Sequence, residues 1–312
     1  MSAATAELYQ ANRDFLWGLC YRMTGSAADA EDVVQETFVR VIERPPRRLQ
    51  EPLRPWLVRV AINLSRDLLR RRRRANYTGP WLPSPIPTDD HNPPSFEPMA
   101  SPEDSPMARY DMLESVSFAF LLALEALTPA QRAVLLLRDV FDYSTDEAAE
   151  ALDMSAANVK VTLHRARRAM REYDKNRSRI TAERKQMTRK ALEQFLMYLQ
   201  ASDVAGLARL LADDVVELSD GGGEVYAALA PIRGRDKVLR LIFGLAKKIG
   251  PLPAPVFREL NGVPALVFEG PDREPRHASR FSIQCEVDAA GRIRTLMNVL
   301  APRKLSALWP NH

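Results

Sequence analysis

The chain has 312 residues, of which 46% are hydrophobic and 27% charged, with a formal net charge of +4. At roughly 100–200 residues per domain this length suggests two or three domains of ordinary globular composition. No stretch approaches the ~18 uninterrupted apolar residues of a membrane span, and the first residues lack a basic segment leading into an apolar run, so no secretory leader is expected. Only two cysteines, Cys20 and Cys285, are present. That argues against a disulfide framework or a cysteine zinc site and fits a reducing cytoplasm.

The charge is strongly segregated. Residues 40–74 hold 12 Arg/Lys against 3 Asp/Glu, and residues 158–190 repeat those numbers. The rest of the chain is acidic, so the two basic islands point to a polyanion held at two places. Composition divides the chain into four stretches: a helical unit at 8–75, a linker at 76–107, a second helical unit at 108–175, and a mixed helix and strand region at 188–305. The linker has nine prolines, five acids and no Lys or Arg, which reads as an extended tether.

In the first unit Gly25 is a helix stop and Ser26 caps a new helix, with Asp29, Glu31 and Asp32 near its positive dipole end. Ala30, Val33, Val34, Phe38 and Val41 recur at i, i+3 and i+4 spacing and should face the core; Pro45 and Pro46 end the helix. The next helix carries an apolar stripe of Trp56, Leu57, Val60, Ala61, Leu64 and Leu68. Arg59, Asn63, Arg66, Asp67 and Arg70 lie mainly on its other face, and Arg70 to Arg74 are five consecutive arginines.

The second unit is better punctuated. Thr128-Pro129-Ala130-Gln131 is a capping box with proline at the first helical position, opening a helix from Arg132 to Phe141. Ser144-Thr145-Asp146-Glu147 opens a short helix through Ala148, Ala149 and Leu152. Asp153-Met154 turns the chain and Ser155 caps a last helix, with Val159, Leu163, Ala166 and Met170 inward. Asn158, Lys160, Thr162, His164, Arg165, Arg167 and Arg168 remain outside. A short helix, a tight turn and a second helix with basic and amide side chains near its start is the helix-turn-helix pattern, whose second helix fits a DNA major groove.

The last region predicts a helix bearing Leu192, Phe195, Leu196 and Leu199, and a second bearing Leu207, Leu210 and Leu211. A strand over Asp214 to Leu218 follows, ending at Asp220-Gly221-Gly222-Gly223, then a helix over Arg235 to Lys248. Strands follow at Val256 to Leu260 and Ala265 to Phe268, joined by an Asn261-Gly262 turn. In the next, Phe281, Ile283, Cys285 and Val287 alternate with Arg280, Ser282, Gln284 and Glu286, and Ile293 to Val299 pairs after it. Helices followed by a curled antiparallel sheet make an α+β domain with a concave face.

The motifs of the first two units resemble an extracytoplasmic-function sigma factor of the sigma-70 family. Tyr21-Arg22-Met23-Thr24-Gly25, with Asp29-Ala30-Glu31-Asp32-Val33-Val34-Gln35-Glu36-Thr37-Phe38, resembles sigma region 2. Arg54-Pro55-Trp56-Leu57 through Ala61-Ile62-Asn63-Leu64 and Asp67 resembles its promoter-melting helix. Leu127-Thr128-Pro129-Ala130-Gln131-Arg132, Asn158-Val159-Lys160 and Leu163-His164-Arg165-Ala166-Arg167 resemble region 4. The resemblance implies that Asp32, Gln35 and Glu36 dock on core RNA polymerase. It gives the −10 element to the loop with Arg48 and to Arg54, Arg59, Asn63, Arg66 and Arg70. Asn158, Lys160, Thr162, His164, Arg165 and Arg168 would grip the −35 element. The chemistry is capture rather than catalysis: a melted base leaves the stack at a cost of a few kcal/mol and must be held by a pocket and phosphate contacts. Trp56 fits either a core position or a stacking platform. Asp153 stands where the family usually has glycine, and Val161-Thr162 where it has Ser-Arg.

The last region resembles a SnoaL-like cone fused to such sigma factors. The marks of that group are Tyr77-Thr78-Gly79-Pro80-Trp81-Leu82-Pro83 in the linker and Asp220-Gly221-Gly222-Gly223. Its Asn-Pro-Asp-Lys-Leu motif reads Ala301-Pro302-Arg303-Lys304-Leu305 here. The expected architecture is therefore multidomain: two all-α sigma domains, a region 2 helical bundle and a region 4 helix-turn-helix, plus an α+β SnoaL-like cone with a curved antiparallel sheet. The resemblance implies a bacterial, cytoplasmic, nucleoid-associated promoter-specificity subunit without cofactor or metal, partnered by core polymerase and promoter DNA. In the group the fused domain acts on the linker and sigma units, which points here to Tyr77, Gly79, Trp81, Leu82, Asp220, Gly221, Gly222 and Gly223. Two alternatives stay open: a SnoaL-like cyclase or isomerase fused to a DNA-binding module, with Asp220, His277 or Glu217 as acid/base group, and a repressor using the helix-turn-helix alone. Asp220 otherwise reads as a turn former, and His277 as a solvated loop histidine.

Overall fold

A computed structural model describes residues 3–43, 53–75, 77–89, 109–177, 180–250, 252–271 and 276–309. The chain forms two compact units: residues 1–76 with 93–178, and residues 77–92 with 179–312. No helix among the described residues is long and apolar enough to cross a membrane.

The first unit is all helical. α1 (Ala3–Thr24) ends at Gly25, whose φ of +68° suits a residue without Cβ. The Ser26 hydroxyl accepts the Asp29 amide at 3.2 Å and starts α2 (Ala27–Glu43). All five expected core residues of α2 are buried. In α3 (Arg54–Arg74) the buried set is Leu57, Val58, Ala61, Ile62, Ser65 and Leu69. The stripe is thus rotated from the expected one, and Trp56, Val60, Leu64 and Leu68 are only half-buried. Ser65 can lie in that buried stripe because its hydroxyl donates to the Ala61 carbonyl at 2.8 Å. The loop with Pro45, Pro46 and Arg48 lies outside the described residues.

α4 (Phe118–Ala123) leads to α5 (Pro129–Asp139), α6 (Thr145–Leu152), α7 (Ala156–Ala169) and α8 (Arg171–Asn176). Both capping boxes form. Thr128 and Gln131 exchange bonds of 3.2 and 2.9 Å, and Ser144 and Glu147 bonds of 3.1 and 2.7 Å. Asp153 turns the chain at φ +53°, the left-handed conformation that aspartate tolerates, and Ser155 caps α7. Val159, Leu163, Ala166 and Met170 are buried as the spacing requires.

Two buried arginines join the helices of this unit. Arg22 donates to the Ser115 hydroxyl at 2.7 Å and to the Gly18 and Met112 carbonyls, and burial pulls its pKa down to about 9. Arg132 donates to the Met23 and Leu124 carbonyls and pairs with Glu125 at 2.9 Å.

In the second unit α9 (Ala182–Gln200) and α10 (Val204–Leu210) precede β1 (Leu211–Asp220), β2 (Ile232–Arg233) and α11 (Arg235–Ile249). Then come β3 (Val256–Leu260), β4 (Val263–Glu269), β5 (Arg280–Val287) and β6 (Ile293–Val299). Leu211 therefore starts a strand and does not end a helix. The sheet order is β2-β1-β6-β5-β4-β3, and it is mixed: β1 pairs with β6 in parallel, where an antiparallel sheet was expected. Three successive reversals from β3 to β6 bring β6 alongside β1 in the same direction, with α11 making the crossover.

One face of this sheet packs under α9–α11, with Phe195, Leu207, Val215, Leu266, Phe268, Ile283, Cys285 and Leu296 in the core. The opposite face is covered too. Ser282 and Gln284, expected to be exposed, are buried there, because residues 77–89 run from the end of β1 to the β3–β4 turn. Ile86 and Thr88 bond with Asn261, Gly262 and Glu259, and Asp89 pairs with Arg258 on β3.

Candidate polymerase and nucleic-acid interfaces

The outer face of α2 carries Asp32, Gln35 and Glu36, all exposed. Gln35 donates to Glu31 at 3.4 Å and Arg40 pairs with Glu36 at 3.2 Å. One and two turns further on the same face, Val39 and Ile42 are 43% and 56% exposed. The three polar residues sit on a stable amphipathic helix whose other side is core, and an apolar strip extends them. The sequence signal for that strip was two apolar residues out of phase with the buried stripe.

On α3 the predicted cations divide. Asn63 and Arg70 are exposed, and Arg70 pairs with Asp67 at 3.0 Å. Arg66 is half-buried beside Asn63, and burial, with Arg70 nearby, lowers its pKa. Arg54 stacks its guanidinium 4.5 Å from the centre of the Phe15 ring. Arg59 is turned to the helix-turn-helix and donates to the Glu150 carbonyl at 2.5 Å. The arginine run behaves likewise: Arg72 donates to Thr24 and Glu125, both at 2.7 Å, and Arg73 donates to the Leu127 carbonyl. Burial pushes the Glu125 carboxyl up, but Arg132 and Arg72 outweigh that and hold it below the usual carboxylate range. Trp56 is half-buried and so is neither a core tryptophan nor a free platform.

On α7, Asn158, Lys160, His164, Arg165 and Arg168 are exposed and Thr162 half-buried. The first turn of α7 stands clear of its own capped start, where Ser155 accepts the Asn158 amide at 3.2 Å. Arg167, which the periodicity leaves outside, is engaged: it grips the buried Asp139 carboxylate through bonds of 2.9 and 2.6 Å. That pair, which raises the pKa of Arg167, fixes α7 on α5.

The predicted regulatory residues of the second unit come together around Asp220, which is 0% exposed. Its carboxylate accepts the Tyr77 hydroxyl at 2.6 Å, the Leu82 amide at 2.6 Å, the Gly222 amide at 3.0 Å and the Lys304 ammonium. The Lys304 ammonium also donates to the Leu82 carbonyl and sits 4.8 and 4.5 Å from the Tyr77 and Trp81 ring centres. A side chain at Gly221 would meet the Val225 carbonyl at 2.5 Å, so only glycine closes this turn. Gly79, at φ +84°, brings the linker against Ala228 and Leu229, and Gly223 faces Thr78.

The other two acid/base candidates stand apart from that cluster. Glu217 lies on the helix-covered face, 1% exposed, accepting from Ser219 and from Asn298 at 2.7 Å. Burial raises its pKa, and its second oxygen has no partner. His277 is half-buried edge-on to Tyr226, 5.3 Å between ring centres, rather than solvated. No cluster of three or more His, Cys, Asp or Glu among the described residues could hold a metal.

The family model "Sigma-70 region 2" matches residues 8–75 and "Sigma-70, region 4" matches residues 117–170. The chain is 33% identical over 245 residues to the ECF RNA polymerase sigma factor SigJ of Mycobacterium tuberculosis, covering 78% of this chain and 73% of that protein. It belongs to the extracytoplasmic-function sigma factors. A crystal structure of SigJ from the same organism superposes with a TM-score of 0.68 and 27% identity over 97% of this chain and 98% of the other. The ECF sigma factor SigG, also of Mycobacterium tuberculosis, is 35% identical over 207 residues, 63% of this chain and 56% of its own length.

This sigma factor thus carries region 2 in α1–α3 and region 4 in α4–α7, followed in the chain by an α+β unit. Lys304 is the functional candidate that sequence reasoning missed. Its signal was the lysine of the Ala301-to-Leu305 segment, kept at the place where the fused group has its own. The contacts of Arg72 and Arg73 were missed for a different reason, because a run of arginines does not reveal which of them bond within the fold, and Arg132 because a lone arginine after a cap does not announce that it is buried.

Proposed function

We propose that this sigma factor docks on core polymerase through Asp32, Gln35, Glu36, Val39 and Ile42 of α2. It holds the −10 element with α3 and its preceding loop, and the −35 element with the exposed row of α7. The observation that carries this reading is the pairing of an exposed acidic and apolar α2 face with a capped helix-turn-helix that exposes Asn158, Lys160, His164, Arg165 and Arg168. It works as a specificity subunit in the cytoplasm on nucleoid DNA, not as an enzyme. Asp220 supports that view, because four donors already occupy its carboxylate.

Two internal restraints supply regulation. Within the sigma unit, Arg59, Arg72 and Arg73 of the −10 helix are bound to residues of region 4, so promoter binding requires region 4 to release them. In the second unit, residues 77–89 are fastened to the sheet. Residues 90–108 are then what links the fastened segment to region 4, with a maximal reach of about 65 Å measured from Asp89. Fastening the linker therefore limits how far apart the two DNA-binding units travel.

The test is reconstitution with purified core polymerase. Asp32→Arg with Glu36→Arg should abolish co-purification with core and promoter-directed transcripts while circular dichroism stays unchanged. Retained core binding in that variant would remove the reading.

A further inference from the structure

The sigma machinery leaves α11 unexplained. Lys237, Arg240, Gly244, Lys247 and Lys248 recur at spacings of three and four residues and are all exposed, so they form one stripe roughly 16 Å long on the solvent side. On the inner side Val238 and Leu239 are buried and Ile242 and Phe243 pack on the core, while Leu245, at the edge of the stripe, is 45% exposed. Arg235 is engaged with Asp213 at 2.7 Å and with the Leu211 carbonyl. The four stripe cations make no salt bridge among the described residues, and the helix contains one acid, Asp236.

Two features of the stripe work against helix stability. Lys247 and Lys248 suit the negative end of the helix, but Lys237 and Arg240 lie in its first turns, where the dipole disfavours cations. Gly244 sits mid-helix, an unfavourable place for glycine, and a Cβ there would meet nothing within 4 Å, so packing does not require it. Both make sense if a chain of anions lies along the helix. The cations face it, and the missing side chain lets it approach the helix backbone between Arg240 and Lys247.

We infer that the outer face of α11 is a sequence-independent contact for the phosphate backbone of duplex DNA. Duplex DNA presents about one charge per 1.7 Å of axis, so a stripe of this length faces several phosphates. A membrane surface fits less well, because binding there needs an apolar face to insert and α11, among its described residues, leaves a single large apolar side chain, Leu245, exposed beside the stripe. This contact lies outside regions 2 and 4 and is separable from them.

The test compares the full chain with a variant carrying Lys237→Gln, Arg240→Gln, Lys247→Gln and Lys248→Gln. Binding to a labelled duplex of arbitrary sequence is followed by anisotropy across a salt series. Four lost phosphate contacts make the log–log salt slope shallower by about 3 to 4, with core binding unchanged. Because the two N-terminal cations oppose the dipole, Lys237→Gln with Arg240→Gln also raises Tm. In the holoenzyme, a photoreactive side chain at position 244 crosslinks to promoter DNA. An unchanged slope, or crosslinks to a polymerase subunit in place of DNA, overturns the inference. So does stripe-dependent binding to phosphatidylserine vesicles without a change in DNA slope. Loss of core binding by the same variant would instead indict its fold, and Lys247→Gln with Lys248→Gln alone then decides: with core binding kept, it must make the slope shallower by about 2, and an unchanged slope overturns the inference.

Discussion

Asp220→Asn removes the charge at the centre of the linker anchor while keeping its shape. In the native protein the Asp220 carboxylate and the Lys304 ammonium are both buried, at 0% and 6% exposure, with two neutral donors from the linker on the same carboxylate. Asparagine leaves the ammonium without a counter-charge and offers it one carbonyl in place of two acceptors. Breaking a buried pair from one side costs about 3–5 kcal/mol. Part of this is recovered by the Leu82 carbonyl and the Tyr77 and Trp81 rings, which still hold the ammonium. About 2–4 kcal/mol is then expected. Lys304→Met should cost somewhat less, since the buried carboxylate loses its counter-charge but keeps the Tyr77, Leu82 and Gly222 donors. The double variant should cost less than the sum by 1 kcal/mol or more, the mark of directly coupled residues. Urea unfolding of the full chain, followed by hydrogen exchange at the Leu82 amide, separates loss of the linker from loss of the whole unit. If both single variants unfold within about 0.5 kcal/mol of wild type and keep the Leu82 amide protected, the anchor reading is wrong.

Three further outcomes follow from particular contacts. Glu125→Gln should loosen region 4 from α3 by about 1–2 kcal/mol, since the buried Arg132 loses its counter-charge but keeps two carbonyls, and it should raise exchange in the Arg72–Arg73 segment. The same contact should weaken as pH falls through the lowered pKa of Glu125, because protonation removes the charge that the fold favours. Glu217→Gln works in the opposite direction. Its folded pKa is raised by burial, so the stability tied to the neutral acid is present at low pH and lost as pH rises. The glutamine variant should gain on wild type as pH climbs above the usual carboxylate range, in paired thermal melts, and a gap that does not change with pH would refute this. At the turn before α7, Asp153 holds φ +53°. Asp153→Gly should be neutral or slightly stabilising and Asp153→Ala destabilising by about 1 kcal/mol, measured by thermal unfolding.

Local signals in the sequence located much of the helical part. Capping boxes at Thr128 and Ser144, the glycine stop at Gly25 and the apolar stripe of α2 are short-range features, and the structure has each of them. What was not legible depends on pieces far apart in the chain. The phase of α3 is set by what it packs against, and it places Ser65 in the core, where the hydroxyl bonds back to its own helix. The parallel pairing of β1 with β6 joins strands some eighty residues apart, and no local alternation encodes it. Ser282 and Gln284 read as solvent-facing until the linker is seen across them. Lys304 could be assigned a role only once Asp220 and the linker stood beside it.

The arginines of this chain show why charge counts alone mislead. Arg22 and Arg132 are fully buried and act as hydrogen-bonding bolts; removing them would cost folding rather than binding. Arg59, Arg72 and Arg73 are intermediate: each bonds to a backbone carbonyl, and Arg72 to a carboxylate as well, near the surface. Charge-assisted bonds of that kind are each worth roughly 1.5–3 kcal/mol at most, and less where water screens them. A DNA phosphate offers the same guanidinium a stronger acceptor together with counterion release. On the reading proposed above, DNA therefore offsets the release of these three arginines, and the buried Arg132 contact with Met23 is the part of the closure left for polymerase docking to overcome. The buried Arg132, which donates to the Met23 carbonyl of α1 and pairs with Glu125, is a contact between the two regions that DNA does not compete for.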